Sequence, residues 1–214
     1  MNEIKIVPGI LEKDLNVIIE KIHRFEGFAK SVQVDVIDGK FAPNTTFMDI
    51  RQLEKINTSL KIELDLHVEN PQVFIPFGSE TINKVILHVE SANFSRGDLE
   101  ELHMRDFEAG ISLSPETEIS EIEPFLGLVD CVQFMTVVPG FSNQTFLPEV
   151  LPRIKEFHIN FPDMVIEVDG GINPKTAKLA IDAGATILSS TSFLGECDNL
   201  AECISELGGQ NYGN

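Results

Sequence analysis

Two aspartates, a histidine and several glycine- and serine-rich turns are the residues of this chain whose types and places invite chemistry. Asp35 (with Asp38 three residues on), His67, His88, Met135-Thr136, Asp169 and the run Ser189-Ser190-Thr191-Ser192 each stand at or just beyond the end of a short apolar run. Two carboxylates on opposite walls can pass a proton across a bound substrate. Aspartate and histidine together also suit zinc, iron or manganese. One such aspartate alone would be read equally well as the cap of a following helix. Asp35, His67 and Asp169 together, each at a strand end, point to a site instead. His88 reads as a packed histidine beside it, and His23, His103 and His158 as solvated residues on helical faces. The turns Gly140-Phe141-Ser142-Asn143 and Gly170-Gly171, with the serine-rich turn after Ser189, are of the kind whose backbone N–H groups cradle a phosphate.

The elements that must position these residues alternate along the chain. Short β-rich runs predict strands at Ile4–Val7, Val32–Asp35, Lys61–Leu66, Lys84–Leu87, Ala109–Leu113, Val129–Met135, Val165–Val168 and Ala185–Ser189. Helical spacing lies between them: Ile18, Ile22 and Phe25; then Leu147, Val150, Leu151, Ile154 and Phe157, with Pro152 blurring the start; then Leu200, Cys203, Ile204 and Leu207. The segment from Asn173 to Gly184 is best marked, with an N-cap asparagine, Pro174 at the first helical position and a closing glycine. Strands alternating with helices imply an α/β fold of parallel strands. Eight repeats favour a single closed (β/α)8 barrel, with lean loops for its length, over an open doubly wound sheet. No dinucleotide-binding glycine fingerprint follows the first strand. In such a barrel the C-terminal strand ends share one mouth.

The 214 residues predict one domain, 1–214, and 43% hydrophobic residues are enough for its core. A net charge of −18 argues against nucleic acid or an anionic membrane as partner. It argues mildly against an anionic ligand too, although exposed charges beyond ~8 Å are largely screened at physiological salt. No apolar run is long enough to span a bilayer, and no signal peptide is evident, so the expected location is cytoplasmic. Cys131, Cys197 and Cys203, an odd number at no metal spacing, read as free thiols in a reducing compartment.

VDVIDGKFAPNTTF (34–47), LDLHVENP (64–71), VQFMTVVPGFSNQTFLPEVL (132–151) and EVDGGINPKTAKLAIDAGA (167–185) resemble the ribulose-phosphate 3-epimerase family. IVPGILEKD (6–14) resembles its first strand and loop, and LHVES (87–91) its fourth strand. The matches keep family order through roughly residues 6–194. The resemblance implies a metal-dependent isomerase of the pentose phosphate pathway that interconverts D-ribulose 5-phosphate and D-xylulose 5-phosphate. Asp35 and Asp169 would then be the catalytic pair, one removing the C3 proton and the other returning it on the opposite face of an enediolate. One divalent ion (zinc, iron, manganese or magnesium) would be held by Asp35, His67 and Asp169, with Gln33 at the place of a family histidine. Substrate contacts implied are His67, Met135, Gly140, Phe141, Ser142, Asn143, Gly170, Gly171, Thr191 and Ser192. The family is often oligomeric, so a homo-oligomer is among its implications.

This chain departs from the family at several of these places. Gln33 is a poorer zinc ligand than imidazole, which favours a harder ion such as manganese or magnesium. Gly9 replaces a substrate-binding serine, and Ile37 a methionine. The stretch after His67 is two residues shorter and loses another methionine. Ser142-Asn143 replaces a glycine pair, and Thr191 replaces a glycine where backbone is expected to approach phosphate. These changes keep two alternatives in view: an epimerase for another ketose phosphate, such as a hexulose 6-phosphate, and a non-catalytic sugar-phosphate-binding barrel. The decarboxylases and Schiff-base aldolases of similar fold are disfavoured. Val36 and Ile37, not a lysine, lie between Asp35 and Asp38, and Met135 stands where an aldolase would need its lysine.

Overall fold

The apolar runs fold as eight parallel strands: β1 (Lys5–Ile10), β2 (Ser31–Ile37), β3 (Lys61–His67), β4 (Ile82–His88), β5 (Glu108–Leu113), β6 (Cys131–Met135), β7 (Val165–Asp169) and β8 (Ile187–Ser190). Each pairs with the next, and β1 pairs with β8, so the sheet closes into a barrel in chain order. The structure, a computed structural model, describes residues 3–210. The expected (β/α)8 architecture is borne out. Several strands run further than the apolar runs alone indicated. β2 continues two residues past Asp35, and β3 and β4 end on His67 and His88 themselves.

The outward faces of the strands pack against α1 (Leu15–Phe25), α2 (Ile50–Leu53), α3 (Arg96–Met104), α4 (Leu151–Asn160), α5 (Pro174–Ala183), α6 (Ser192–Gly195) and α7 (Leu200–Glu206). Ile18, Ile22 and Phe25 of α1 are fully buried, as their spacing predicts. Phe157 of α4 sets its ring edge against Phe134 of β6, with centroids 5.4 Å apart. Each such side chain contributes roughly 1.5–3 kcal/mol by leaving water. Pro152 sits in the first turn of α4, where its missing N–H costs nothing. Asn173 caps α5 by accepting from Lys175 N and Thr176 N, and Gly184 ends it at φ 117°. The loops are lean. Only α2, a single turn, follows β2, and short 3₁₀ turns replace helices after β3 and β5 among the described residues.

Inside the barrel the strands are not apolar. Near the floor, Lys84 is 1% exposed and its Nζ lies between Glu63 Oε2 and Glu167 Oε2, the latter at 2.5 Å. Lys5 Nζ reaches Glu63 Oε1 at 2.6 Å, and the Ser31 hydroxyl donates to the same oxygen. Burial raises the Glu63 carboxyl, but the two lysines outweigh it and hold the group at about 2. Among the described residues Val7, Cys131 and Ile187 form a small separate apolar cluster.

The cysteine expectation needs correcting. Cys197 and Cys203 form a disulfide that joins the residues after α6 to α7, and only Cys131 is free. Spacing in sequence carried no sign of this, because the turn between α6 and α7 is what brings the two Cα atoms to 6.6 Å.

Candidate active site

Alternation along each strand sends every second side chain into the barrel. Gln33 and Asp35 on β2, Asp65 and His67 on β3, His88 on β4, Gln133 and Met135 on β6, and Asp169 on β7 are all buried there, near the C-terminal ends. Ligand atoms of Asp35, Asp65 and Asp169 lie within 4.8 Å of one another, and so do those of Asp65, His67 and His88. Asp35 and Asp169 therefore converge as the sequence predicts, and His67 joins them through Asp65.

Asp65 is the residue that sequence reading missed. Its Oδ2 lies 3.2 Å from His67 Nε2 and its Oδ1 lies 3.0 Å from His88 Nε2. It precedes His67 by two in ELDLH, so strand alternation alone puts it on the inner face. Gln133 is a second omission, found by the same parity. It donates to Asp65 Oδ2 at 3.2 Å and to Gln33 Oε1 at 3.4 Å. Gln33 in turn presents its amide nitrogen to the carboxylates: 2.9 Å to Asp35 Oδ1, 3.3 Å to Asp169 Oδ2 and 3.4 Å to Asp65 Oδ2. The amide oxygen faces Gln133.

The charges divide unevenly. Burial, then Asp169 and Asp65, push the Asp35 carboxyl well above its ordinary range. Burial, Asp65 and Glu167 push Asp169 up to about 7. Burial also acts to raise Asp65, but the imidazoles of His67 and His88 outweigh it and keep this carboxyl ionised. Burial tends to lower His88, yet Asp65 and Glu90 raise it to about 9, so it is a cation at neutral pH. Burial lowers His67 despite Asp65, which leaves it neutral. Its Nδ1 is buried with no hydrogen-bond partner. A neutral imidazole with a free nitrogen beside Asp65, whose carboxylate itself clusters with Asp35 and Asp169, is a donor set that fits a divalent cation.

Asp38, by contrast, organises its loop. Its Oδ1 accepts from Lys40 N and Phe41 N, and its Oδ2 from Glu69 N at 2.8 Å. The Phe41 ring rests against His88, with centroids 4.8 Å apart.

Above the carboxylates opens a narrow cleft lined by Asp35, His67, Met135, Asp169, Ser189 and the three expected turns. Gly170 and Gly171 take φ 113° and 64°. A Cβ on Gly170 would meet Val137 Cγ2 at 2.5 Å, and one on Gly171 would meet Phe146 N at 2.8 Å, so no larger residue fits either place. Thr136 stitches the β6 and β7 turns together, donating from its hydroxyl to Gly170 O at 2.6 Å. Asn143, in place of a family glycine, holds φ 62°, a conformation asparagine tolerates better than most residues. Gln144 ties the turn by donating to Val138 O and Phe141 O, and Asn44 Nδ2 ties it to the β2 loop through Gly140 O at 2.8 Å.

The model of the ribulose-phosphate 3 epimerase family matches residues 5–194. The chain belongs to that family. A ribulose-phosphate 3-epimerase of Bacillus subtilis is 34% identical over 214 residues, covering 96% of this chain and 99% of its own. The ribulose-phosphate 3-epimerase named as the cytoplasmic isoform of Oryza sativa is 31% identical, covering 95% and 92%. Among solved structures, a chain of the tryptophan synthase complex from Pyrococcus furiosus superposes with a TM-score of 0.69 at 11% identity, covering 97% of this chain and 99% of that one. That likeness is one of fold alone. Membership of the ribulose-phosphate 3 epimerase family makes the chain an isomerase, an epimerase acting on carbohydrates, and the relatives support a pentose-phosphate epimerase. A sugar phosphate as substrate fits the family. No helix among the described residues is long and apolar enough to cross a membrane.

Proposed function

We propose that this epimerase inverts C3 between D-ribulose 5-phosphate and D-xylulose 5-phosphate, with Asp35 and Asp169 as the two proton carriers. One observation carries the reading: two buried carboxylates from non-adjacent strands converge under a cleft whose rim is made of glycine turns. A C3 proton next to a carbonyl is removed by a carboxylate and leaves an enediolate. Return of a proton by the second acid, from the other face, inverts the centre. One carboxyl can hold a proton while the other accepts one. The cluster supports a divalent ion held by Asp35, His67 and Asp169, with Gln33 joining once its amide turns its oxygen inward. Bound there, the ion supplies Lewis-acid stabilisation of the negative charge that develops on the ketose oxygens. Asp65 orients His67, as a carboxylate behind a ligating imidazole commonly does.

Phosphate binding is assigned to backbone N–H groups of Gly140–Asn143, to Gly170-Gly171 and to Ser192 at the start of α6, with Phe141 over the cleft, Met135 beside C3 and Thr191 on the wall. We take residues 1–214 as one domain; residues 1–2 and 211–214 lie outside the described ones. Cytoplasmic residence belongs to the same proposal, supported by the rice relative's name. Incubation of the manganese-loaded protein with D-ribulose 5-phosphate should form D-xylulose 5-phosphate. No product, or a higher kcat/KM for a hexulose 6-phosphate, would overturn the assignment.

A further inference from the structure

Position 9 is glycine without a backbone reason. Its φ lies outside the left-handed region, so other residues could take the same conformation. What excludes them is Thr191. A Cβ built on Gly9 would stand 2.0 Å from Thr191 Oγ1 and 3.1 Å from Thr191 Cβ. The threonine hydroxyl therefore occupies the volume of the missing side chain.

The register explains how. β1 pairs with β8 at Val7↔Ser189 and Pro8↔Ser190, which brings Thr191 alongside Gly9 one step later. On its other edge Gly9 pairs with Gln33 of β2, the residue whose amide meets Asp35 and Asp169. Thr191 thus leans over a gap in β1. It lines the same cleft as Asp35, His67 and Asp169. Its hydroxyl has no hydrogen-bond partner among the described residues, and it is not among their buried orphan groups. It stands open to the cleft. The Thr191 side chain is directed at Gly9.

We propose that Thr191 is a specificity-determining residue of the proposed epimerase. Its Oγ1 contacts the hydroxyl-bearing carbon chain of the ketose phosphate, and Gly9 is the gap that admits it. A hydroxyl both donates and accepts, which suits a sugar hydroxyl or ketose oxygen. Gly9 and Thr191 form one unit: β8 supplies the polar contact that β1, at glycine, lacks.

This inference rests on the epimerase reading, so wild-type turnover of D-ribulose 5-phosphate is measured first; its absence would overturn that reading and this one with it. Given turnover, Thr191→Val removes one hydrogen bond and keeps the branched shape. KM should rise about tenfold, while inhibition by inorganic phosphate and the Tm stay as in wild type. Gly9→Ser alone should lower both Tm and kcat/KM, because its Cβ meets the threonine hydroxyl. The exchange Gly9→Ser with Thr191→Gly should return Tm and bring KM within a few-fold of wild type. A wild-type KM in Thr191→Val, or a double variant no better than its worse single parent, would overturn the role of Thr191 and leave the epimerase reading standing.

Discussion

Asp35 on β2 and Asp169 on β7 belong to strands that do not touch, yet both accept from one nitrogen, the Gln33 amide, at 2.9 and 3.3 Å. Both carboxyls are buried and both have raised proton affinity. The pair is costly to ionise and therefore informative when removed. Asp35→Asn and Asp169→Asn should each lower kcat about a thousandfold, within the usual range for a lost acid or base. The metal-free variants should melt above wild type at pH 8. A carboxyl whose folded pKa is raised destabilises the fold as pH climbs from its unfolded value toward the folded one, and asparagine has no charge to bury. Steady-state kinetics and calorimetry check the two halves.

Gln33 turns its nitrogen to the carboxylates and its oxygen to Gln133. Gln33→His should put an imidazole at that place and raise zinc affinity about tenfold. Titration of metal-free protein with zinc and with manganese reads this directly. The gain should be larger for zinc, the ion that favours nitrogen. No gain for either ion would mean that position 33 does not reach the metal.

His88 has its pKa raised from 6.5 to about 9 through Asp65 and Glu90, against the effect of burial. A histidine raised in the folded state contributes stability in full below pH 6.5, and that contribution fades as pH rises through 9. Metal-free protein should lose Tm between those values. His88→Gln should flatten the slope in that window, as melting curves across pH would record.

On the barrel floor Lys84 neutralises Glu63 and Glu167. Lys84→Met leaves Glu63 with Lys5 alone and Glu167 without its ion pair, and should cost about 3–5 kcal/mol. Adding Glu63→Gln and Glu167→Gln should recover most of it. Urea denaturation of the three proteins measures both steps.

Much of the barrel was legible because buried parallel strands write themselves as apolar runs, and α5 because its cap, proline and closing glycine all agree. The one-turn α2 and the 3₁₀ turns after β3 and β5 left no periodicity to read. Asp35, His67 and Asp169 stood out as polar ends of apolar runs. Asp65, Lys84, Glu63 and Glu167 lie within or at the start of those runs, where a polar residue looks like a flaw in the pattern; only inward parity reveals that they meet. The partnership of Gly9 with Thr191 was invisible for a different reason. Each position alone looked like a loss, and only the β1–β8 register shows the second filling the space left by the first.

Hydrogen exchange at C3 reports the two-carboxylate arrangement without intermediaries. In deuterated water with manganese, wild type should place deuterium at C3 of both ribulose and xylulose 5-phosphate, followed by proton NMR. Asp35→Asn and Asp169→Asn should each retain slow exchange with one epimer only, and with opposite epimers. Exchange of the same epimer by both variants, or of both epimers by either one, would contradict a separate carboxylate on each face of the sugar.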